Sequence, residues 1–124
     1  MAAGLGMRMR PLTNDRPKPL VTVGGKTLLD HAIDRMRGVG VKTIVVNVHY
    51  KGEMVIEHLK SRRDVEIIIQ DERDKILDTG GALKRALPLF KGEPFFTHNS
   101  DSIWLESWGS NLERMVQRWN DSEM

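Results

Sequence analysis

Residues 2–18 combine the two things a polyphosphate ligand needs, bare backbone N–H groups and fixed cations. Ala2, Ala3, Gly4 and Gly6 carry little or no side chain, so a backbone there can approach a ligand closely. Arg8, Arg10, Arg16 and Lys18 follow, with Pro11, Pro17 and Pro19 stiffening the path between them. The segment reads as a phosphate-handling loop, but not of the two commonest kinds. A P-loop would close on Gly-Lys-Ser/Thr, where this chain has Met7-Arg8-Met9. A dinucleotide fingerprint would need a third glycine at the position of Met9. A lone Gly-x-Gly also suits a tight turn followed by a solvated basic loop, and the loop residues alone leave both readings open.

Asn99-Ser100-Asp101 is the second informative string. A carboxylate straight after a strand suits a hard cation that prefers oxygen ligands, and Mg²⁺ usually takes only one or two protein carboxylates. The same three residue types also favour turns for their own hydrogen-bonding reasons. Asp78-Thr79-Gly80-Gly81 is the third string. Two glycines opening a helix would let a ring or phosphate lie against exposed N–H groups; an ordinary N-cap explains them equally. Asp71-Glu72-Arg73-Asp74 could help to read a base or could be a solvated loop. His49 follows a strand without an identifiable nucleophile or carboxylate partner, which favours a packing or hydrogen-bonding role. His31 and His58 fall on helices as ordinary residues. Trp104 and Trp108 are expected to seal a loop against the core.

Alternating strands and helices must position these strings. Leu20–Val23 is a short extended piece stopped by Gly24-Gly25. Leu28, Leu29, Ala32, Ile33 and Met36 recur at helical spacing and predict a helix over 27–37, ended by Gly38 and Gly40. The β-branched run 43–48 predicts a strand covered on both faces. A helix over 53–60, a strand over 65–70 and a helix from Gly80 to Pro88 follow. A third strand is expected over 94–98, and Leu112, Met115, Val116 and Trp119 trace a last helix. Such alternation predicts a parallel sheet with helices on both faces, and ligands bind such sheets at the carboxyl ends of the strands. Both the glycine loop and Asp101 are expected there.

Composition narrows the class. With 40% hydrophobic and 29% charged residues, the 124-residue chain suits one globular core. A net charge of +2 with scattered basic residues and no aromatic-rich basic platform argues against nucleic-acid binding. The cluster Lys60-Ser61-Arg62-Arg63 reads as the frayed end of a surface helix. The absence of cysteine removes disulfides, thiol catalysis and cysteine-based zinc sites. No apolar run approaches a membrane span, so a cytoplasmic protein without a membrane partner is expected.

Taken together, Ala2-Ala3-Gly4-Leu5-Gly6-Met7-Arg8, Pro11-Leu12-Thr13 and Pro17-Lys18-Pro19 resemble the signature of the sugar-1-phosphate nucleotidyltransferases. Met7 stands where that family usually has threonine. The strings around Asn47–Tyr50, Asp71–Asp74, Leu77–Gly81 and Asn99–Trp104 are most similar to those of short bacterial N-acetylmuramate-1-phosphate uridylyltransferases and mannose-1-phosphate guanylyltransferases. The resemblance implies a three-layer, Rossmann-like α/β fold with a mostly parallel sheet. It implies a nucleoside triphosphate and a sugar 1-phosphate as substrates, joined as a nucleoside-diphosphate sugar with release of pyrophosphate. It makes Arg8, Lys18 and Asp101 catalytic, with Asp101 holding Mg²⁺ and Asn99 contacting the sugar phosphate. Ala2, Ala3, Gly4, Gly6, Arg8, Lys18, Gly80 and Gly81 would contact the nucleotide. Family domains are longer, so residues 1–124 are expected to be the nucleotide-binding half, lacking a first strand and a C-terminal sugar-binding half. An exposed sheet edge would then favour self-association. A non-catalytic, nucleotide-binding regulatory module of the same fold is the alternative.

Overall fold

The computed structural model describes residues 1–75 and 77–123; position 76, inside the polar stretch 71–78, lies outside them. After the basic loop, β1 (Thr22–Val23) and β2 (Lys26–Thr27) form a small antiparallel hairpin. Its turn residues Gly24 and Gly25 both have positive φ, 60° and 78°. Side chains rarely adopt that conformation, which is why two glycines end the extended piece.

Helix α1 spans Leu28–Gly38, within one residue of the predicted limits. Thr27 caps it, its hydroxyl accepting from the Asp30 N–H at 3.0 Å. Its apolar stripe Leu28, Leu29, Ala32, Ile33 and Met36 is buried, and burying Ile33 contributes about 2–3 kcal/mol. Strand β3 (Thr43–Val48), helix α2 (Gly52–Leu59) and strand β4 (Glu66–Asp71) complete a strand–helix–strand unit. The two strands run parallel, with Thr43 opposite Glu66 and Asn47 opposite Gln70. Leu29 and Ile33 from α1, Val46 and Val48 from β3 and Val55 and Leu59 from α2 form the core between them.

Helix α3 (Thr79–Ala86) passes into a 3₁₀ turn at Leu87–Phe90, where Pro88 removes the donor that a longer helix would need. Helix α4 covers Asn111–Gln117, capped by the Ser110 hydroxyl. Among the described residues no helix is long and apolar enough to cross a membrane.

One expectation fails here. The segment 94–98 is not a strand. Its ladder bonds are confined to one end, where the Met1 amino group donates to the His98 carbonyl at 2.5 Å and the Ser100 N–H donates to the Met1 carbonyl at 3.0 Å. The last helix forms as expected, but only Leu112 on it is buried; Met115 and Val116 on α4, and Trp119 beyond its end, are exposed. The apolar periodicity there is real, but nothing among the described residues covers it.

Candidate functional site

Buried backbone groups must find partners, and the partners of the glycine loop decide its shape. The loop is rooted at β3, where the Asn47 side-chain oxygen accepts from the Ala2 N–H at 2.7 Å. Ala2 and Ala3 are buried. Gly6 turns the chain at φ 67°, and a Cβ there would lie 3.0 Å from the Thr13 methyl. The Thr13 hydroxyl donates to the Gly6 carbonyl at 2.7 Å, and the Tyr50 hydroxyl donates to the Thr13 carbonyl at 3.2 Å. The loop is thus folded back on itself and pinned to the residues after β3. Gly4 differs, because a Cβ there would meet nothing within 4 Å. Gly6 is required by the fold, whereas Gly4 faces open space that a ligand could enter.

Buried Pro17 and Pro19 hold Lys18 in a 3₁₀ turn. Its ammonium forms an ion pair with the Asp101 carboxylate, with side-chain exposures of 20% and 35%. Two residues 83 positions apart are therefore neighbours. The hydrogen bond from Lys18 holds the Asp101 carboxyl below the usual carboxylate range, outweighing its partial burial. Arg8 is exposed and, among the described residues, forms no ion pair. Ser100 is buried and Asn99 is exposed, so the turn presents Asn99 and Asp101 outward.

Gly80 and Gly81 lie in the first turn of α3, both exposed, with no side-chain cap from Asp78. The helix is anchored to β4 by Gln70, whose amide donates to the Ala82 carbonyl at 3.0 Å. The structure places Lys18 against Asp101 and ties Ala2 to β3; it gives no direct bond between either group and Gly80 or Gly81.

His98 carries a buried ring nitrogen, Nε2, without a hydrogen-bond partner among the described residues. Burial, followed by the neighbouring Met1 amino group, pushes its pKa down. The ring tilts against Trp104 with centroids 5.1 Å apart. Trp104 packs as expected, but Trp108 is 88% exposed and seals nothing. His49 also has a buried ring nitrogen, Nδ1, without a partner, so a hydrogen-bonding role is not seen for that atom.

Glu72 escaped the sequence reading. It is fully buried. Its side chain accepts from the Gln70 amide at 2.8 Å, the Asn47 amide at 3.3 Å and the Leu77 N–H at 3.2 Å. A signal for it does exist, because Glu72, the residue just after β4, follows Gln70 at the spacing of alternate residues, and Asn47 is the polar residue opposite Gln70.

A cleft of about 650 Å³ lies between β3, α1, α3 and the 94–98 segment. Its lining is mainly apolar, including Ile33, Val46, Ile68 and Phe96, and Arg8, Lys18 and Asp101 are not part of it.

A parallel strand pair joined through a helix, with the glycine loop tied to residues at and after the end of β3, makes this an α/β arrangement. The chain belongs to the nucleotidyl transferase family, which it matches over residues 1–124. It is 48% identical over 128 positions to an N-acetylmuramate alpha-1-phosphate uridylyltransferase of Caulobacter vibrioides, spanning all of this chain and 53% of that protein. It is 40% identical over 108 positions to a mannose-1-phosphate guanyltransferase of Kluyveromyces lactis, spanning 83% of this chain and 30% of that protein. Its fold matches a UDP-glucose pyrophosphorylase from Acinetobacter baumanii with a TM-score of 0.84 at 21% identity, over 98% of this chain and 51% of the other. The chain spans about half the length of the uridylyltransferases it matches.

Proposed function

We propose that this chain forms the nucleotide-binding half of an enzyme that transfers a nucleoside monophosphate from a nucleoside triphosphate to a sugar 1-phosphate. The observation that carries this reading is the meeting of Lys18 and Asp101 at the strand ends, with Arg8 left without an ion-pair partner on the same loop segment. The 48% identity to a uridylyltransferase supports UTP with N-acetylmuramate 1-phosphate as the leading pair, and GTP with mannose 1-phosphate is the second.

In this reaction a phosphate oxygen of the sugar 1-phosphate attacks the α-phosphorus while the bond to the β-phosphate oxygen breaks. Pyrophosphate leaves with that oxygen. The protein's task is alignment and charge neutralisation. Backbone groups of Ala3 to Gly6 would hold the triphosphate, and Arg8 would neutralise the departing pyrophosphate. Lys18 would bridge the α-phosphate and the incoming phosphate. Gly80 and Gly81 would lie against the base and ribose, and Asn99 would contact the sugar phosphate.

Asp101 fits a hard divalent cation, being an oxygen donor held ionised at neutral pH. Among the described residues no cluster of three or more acidic or histidine side chains could hold a metal unaided, which suits Mg²⁺ completed by phosphate oxygens and water. Bound there, Mg²⁺ would screen the charge on the α-phosphate. The Lys18 ammonium contacts only Oδ2 of Asp101, so the other carboxylate oxygen could face the cation. Each of β3 and β4 pairs on one side only among the described residues, which supports the expectation of self-association.

The test is pyrophosphate release from each nucleotide and sugar-phosphate pair, with and without Mg²⁺. It is run on this chain and on a version as long as its relatives. Metal-dependent release with one pair establishes the reaction and its substrates. Nucleotide binding without release in the longer version would favour a regulatory module instead.

A further inference from the structure

We propose that Glu72 is a positioning residue that mechanically links the glycine loop to the first turn of α3. The inference rests on the reading that these two elements grip opposite ends of one nucleotide. It starts from a chemical oddity, a fully buried carboxyl group that no arginine or lysine touches among the described residues. Such a group is costly unless its lone pairs are used. Here they are used by three neutral donors from three different elements. Asn47 comes from β3, Gln70 from β4 and the Leu77 N–H from the approach to α3.

The directions of these bonds matter more than their number. Ala2 offers a donor to Asn47, so the Asn47 oxygen must face Ala2 and its NH₂ must face Glu72. Glu72, as an acceptor, holds the Asn47 amide in that orientation. Gln70 is fixed in the same way, donating to Glu72 and to the Ala82 carbonyl inside α3. One carboxyl group therefore sets both the root of the glycine loop and the seat of α3. Its two oxygens divide the labour: Oε1 accepts from Asn47 and Gln70, and Oε2 accepts from Leu77.

That division makes Glu72→Gln informative. The amide can keep its oxygen toward Asn47 and Gln70 only by aiming its NH₂ at the Leu77 N–H, donor against donor. Losing one bond is cheaper than losing two, so the damage should fall on the α3 side. Amide exchange over 77–82 should quicken relative to the parent chain. Binding of UTP or GTP should weaken about tenfold, while binding of inorganic tripolyphosphate, which reports only the glycine loop, stays within about twofold. Asn47→Ala should instead weaken tripolyphosphate and nucleotide alike. In the unmutated chain, tripolyphosphate alone should slow exchange over 77–82, and Asn47→Ala should abolish that effect.

The link is refuted if exchange over 77–82 in Glu72→Gln equals the parent's. It is equally refuted if tripolyphosphate binds the parent and leaves exchange over that segment unchanged. The parent measurement needs no variant to fold. Should the parent bind neither tripolyphosphate nor nucleotide, the functional reading fails, and the exchange pattern of Glu72→Gln still decides whether the link exists.

Discussion

Two charged clusters in this molecule are built in opposite ways. Between α1 and the segment after α2, Arg62 reaches Asp30 at 3.2 Å, Asp34 at 2.8 Å and Asp64 at 3.0 Å. His58 pairs with Asp30 at 2.7 Å, Lys26 with Asp34 at 2.6 Å and Arg37 with Asp64 at 2.6 Å. Every carboxylate there is shared. At the strand ends the glycine loop keeps Arg8 without a partner, and Lys18 has only Asp101. Charges that hold a fold satisfy one another, whereas under the proposed function the charges left unmatched or weakly matched are those that would meet a polyphosphate. Arg62 also shows that the basic cluster read as a frayed helix end contains one residue that braces α1.

The sharpest way to break this contrast is to remove a charge from each cluster. Lys18→Ala should lower turnover about 10²–10³-fold, the size expected for losing a cation aimed at transition-state charge. The partly exposed pair contributes under about 1 kcal/mol to stability, so the melting temperature should barely move. Pyrophosphate release and a thermal melt on the same preparation check both statements. Activity at the parent's level in Lys18→Ala would overturn the assignment.

Arg62→Ala should behave in the reverse sense. It leaves Asp30, Asp34 and Asp64 without their shared partner in a site where Arg62 is 15% exposed. A loss of about 2 kcal/mol is expected, with nucleotide affinity unchanged. Denaturant unfolding followed by a nucleotide titration tests it. A loss of binding without a loss of stability would mean that the two clusters are not separate.

The glycines of the loop offer a finer cut. Gly6→Ala meets both a positive φ and the Thr13 methyl, and should cost about 1–2 kcal/mol. Gly4→Ala meets no neighbour and should leave stability within about 0.5 kcal/mol while weakening triphosphate binding. Thermal melts with tripolyphosphate titrations would separate the fold's glycine from the ligand's glycine. If both variants change stability alone, the open space at Gly4 has no role in binding.

Much of this contrast was legible in the sequence, and the exceptions share a cause. β3 was read at its limits because five β-branched residues with one asparagine have few other uses, and α1 because its apolar stripe and its cap agree. The segment 94–98 misled because strand character requires a hydrogen-bonding neighbour, which no residue in 94–98 encodes by itself. Lys18 and Asp101 could be named separately, but their pairing depends on the chain's route between them. Glu72 was the largest miss. Its charged neighbours Asp71, Arg73 and Asp74 suggest solvent, yet Asp71 and Arg73 pair with each other outside, at 2.5 Å, while Glu72 turns inward on the face of Gln70. A polar asparagine in an otherwise apolar strand was the available warning, since a buried amide implies a buried partner.

The smallest effect concerns pH and probes the border of the ligand edge. His98 has its pKa lowered by burial and by the Met1 amino group, so folding favours the neutral ring. An unfolded histidine titrates near pH 6.5, and below that value the unfolded state binds more protons. Stability from this residue is therefore complete above about pH 6.5 and is lost as pH falls through that value toward the lower folded pKa. His98→Phe keeps an aromatic ring against Trp104 and removes the titration. Its melting temperature should fall less than the parent's between pH 7.5 and 5.5. The Met1 amino group is also pushed down by burial, so it lends both proteins a background trend of the same sign, and the difference between them reports His98 together with its coupling to that group. An equal fall in the two would mean that the unpartnered ring nitrogen finds water or another partner in solution, and that the charge economy of the strand ends does not extend to His98.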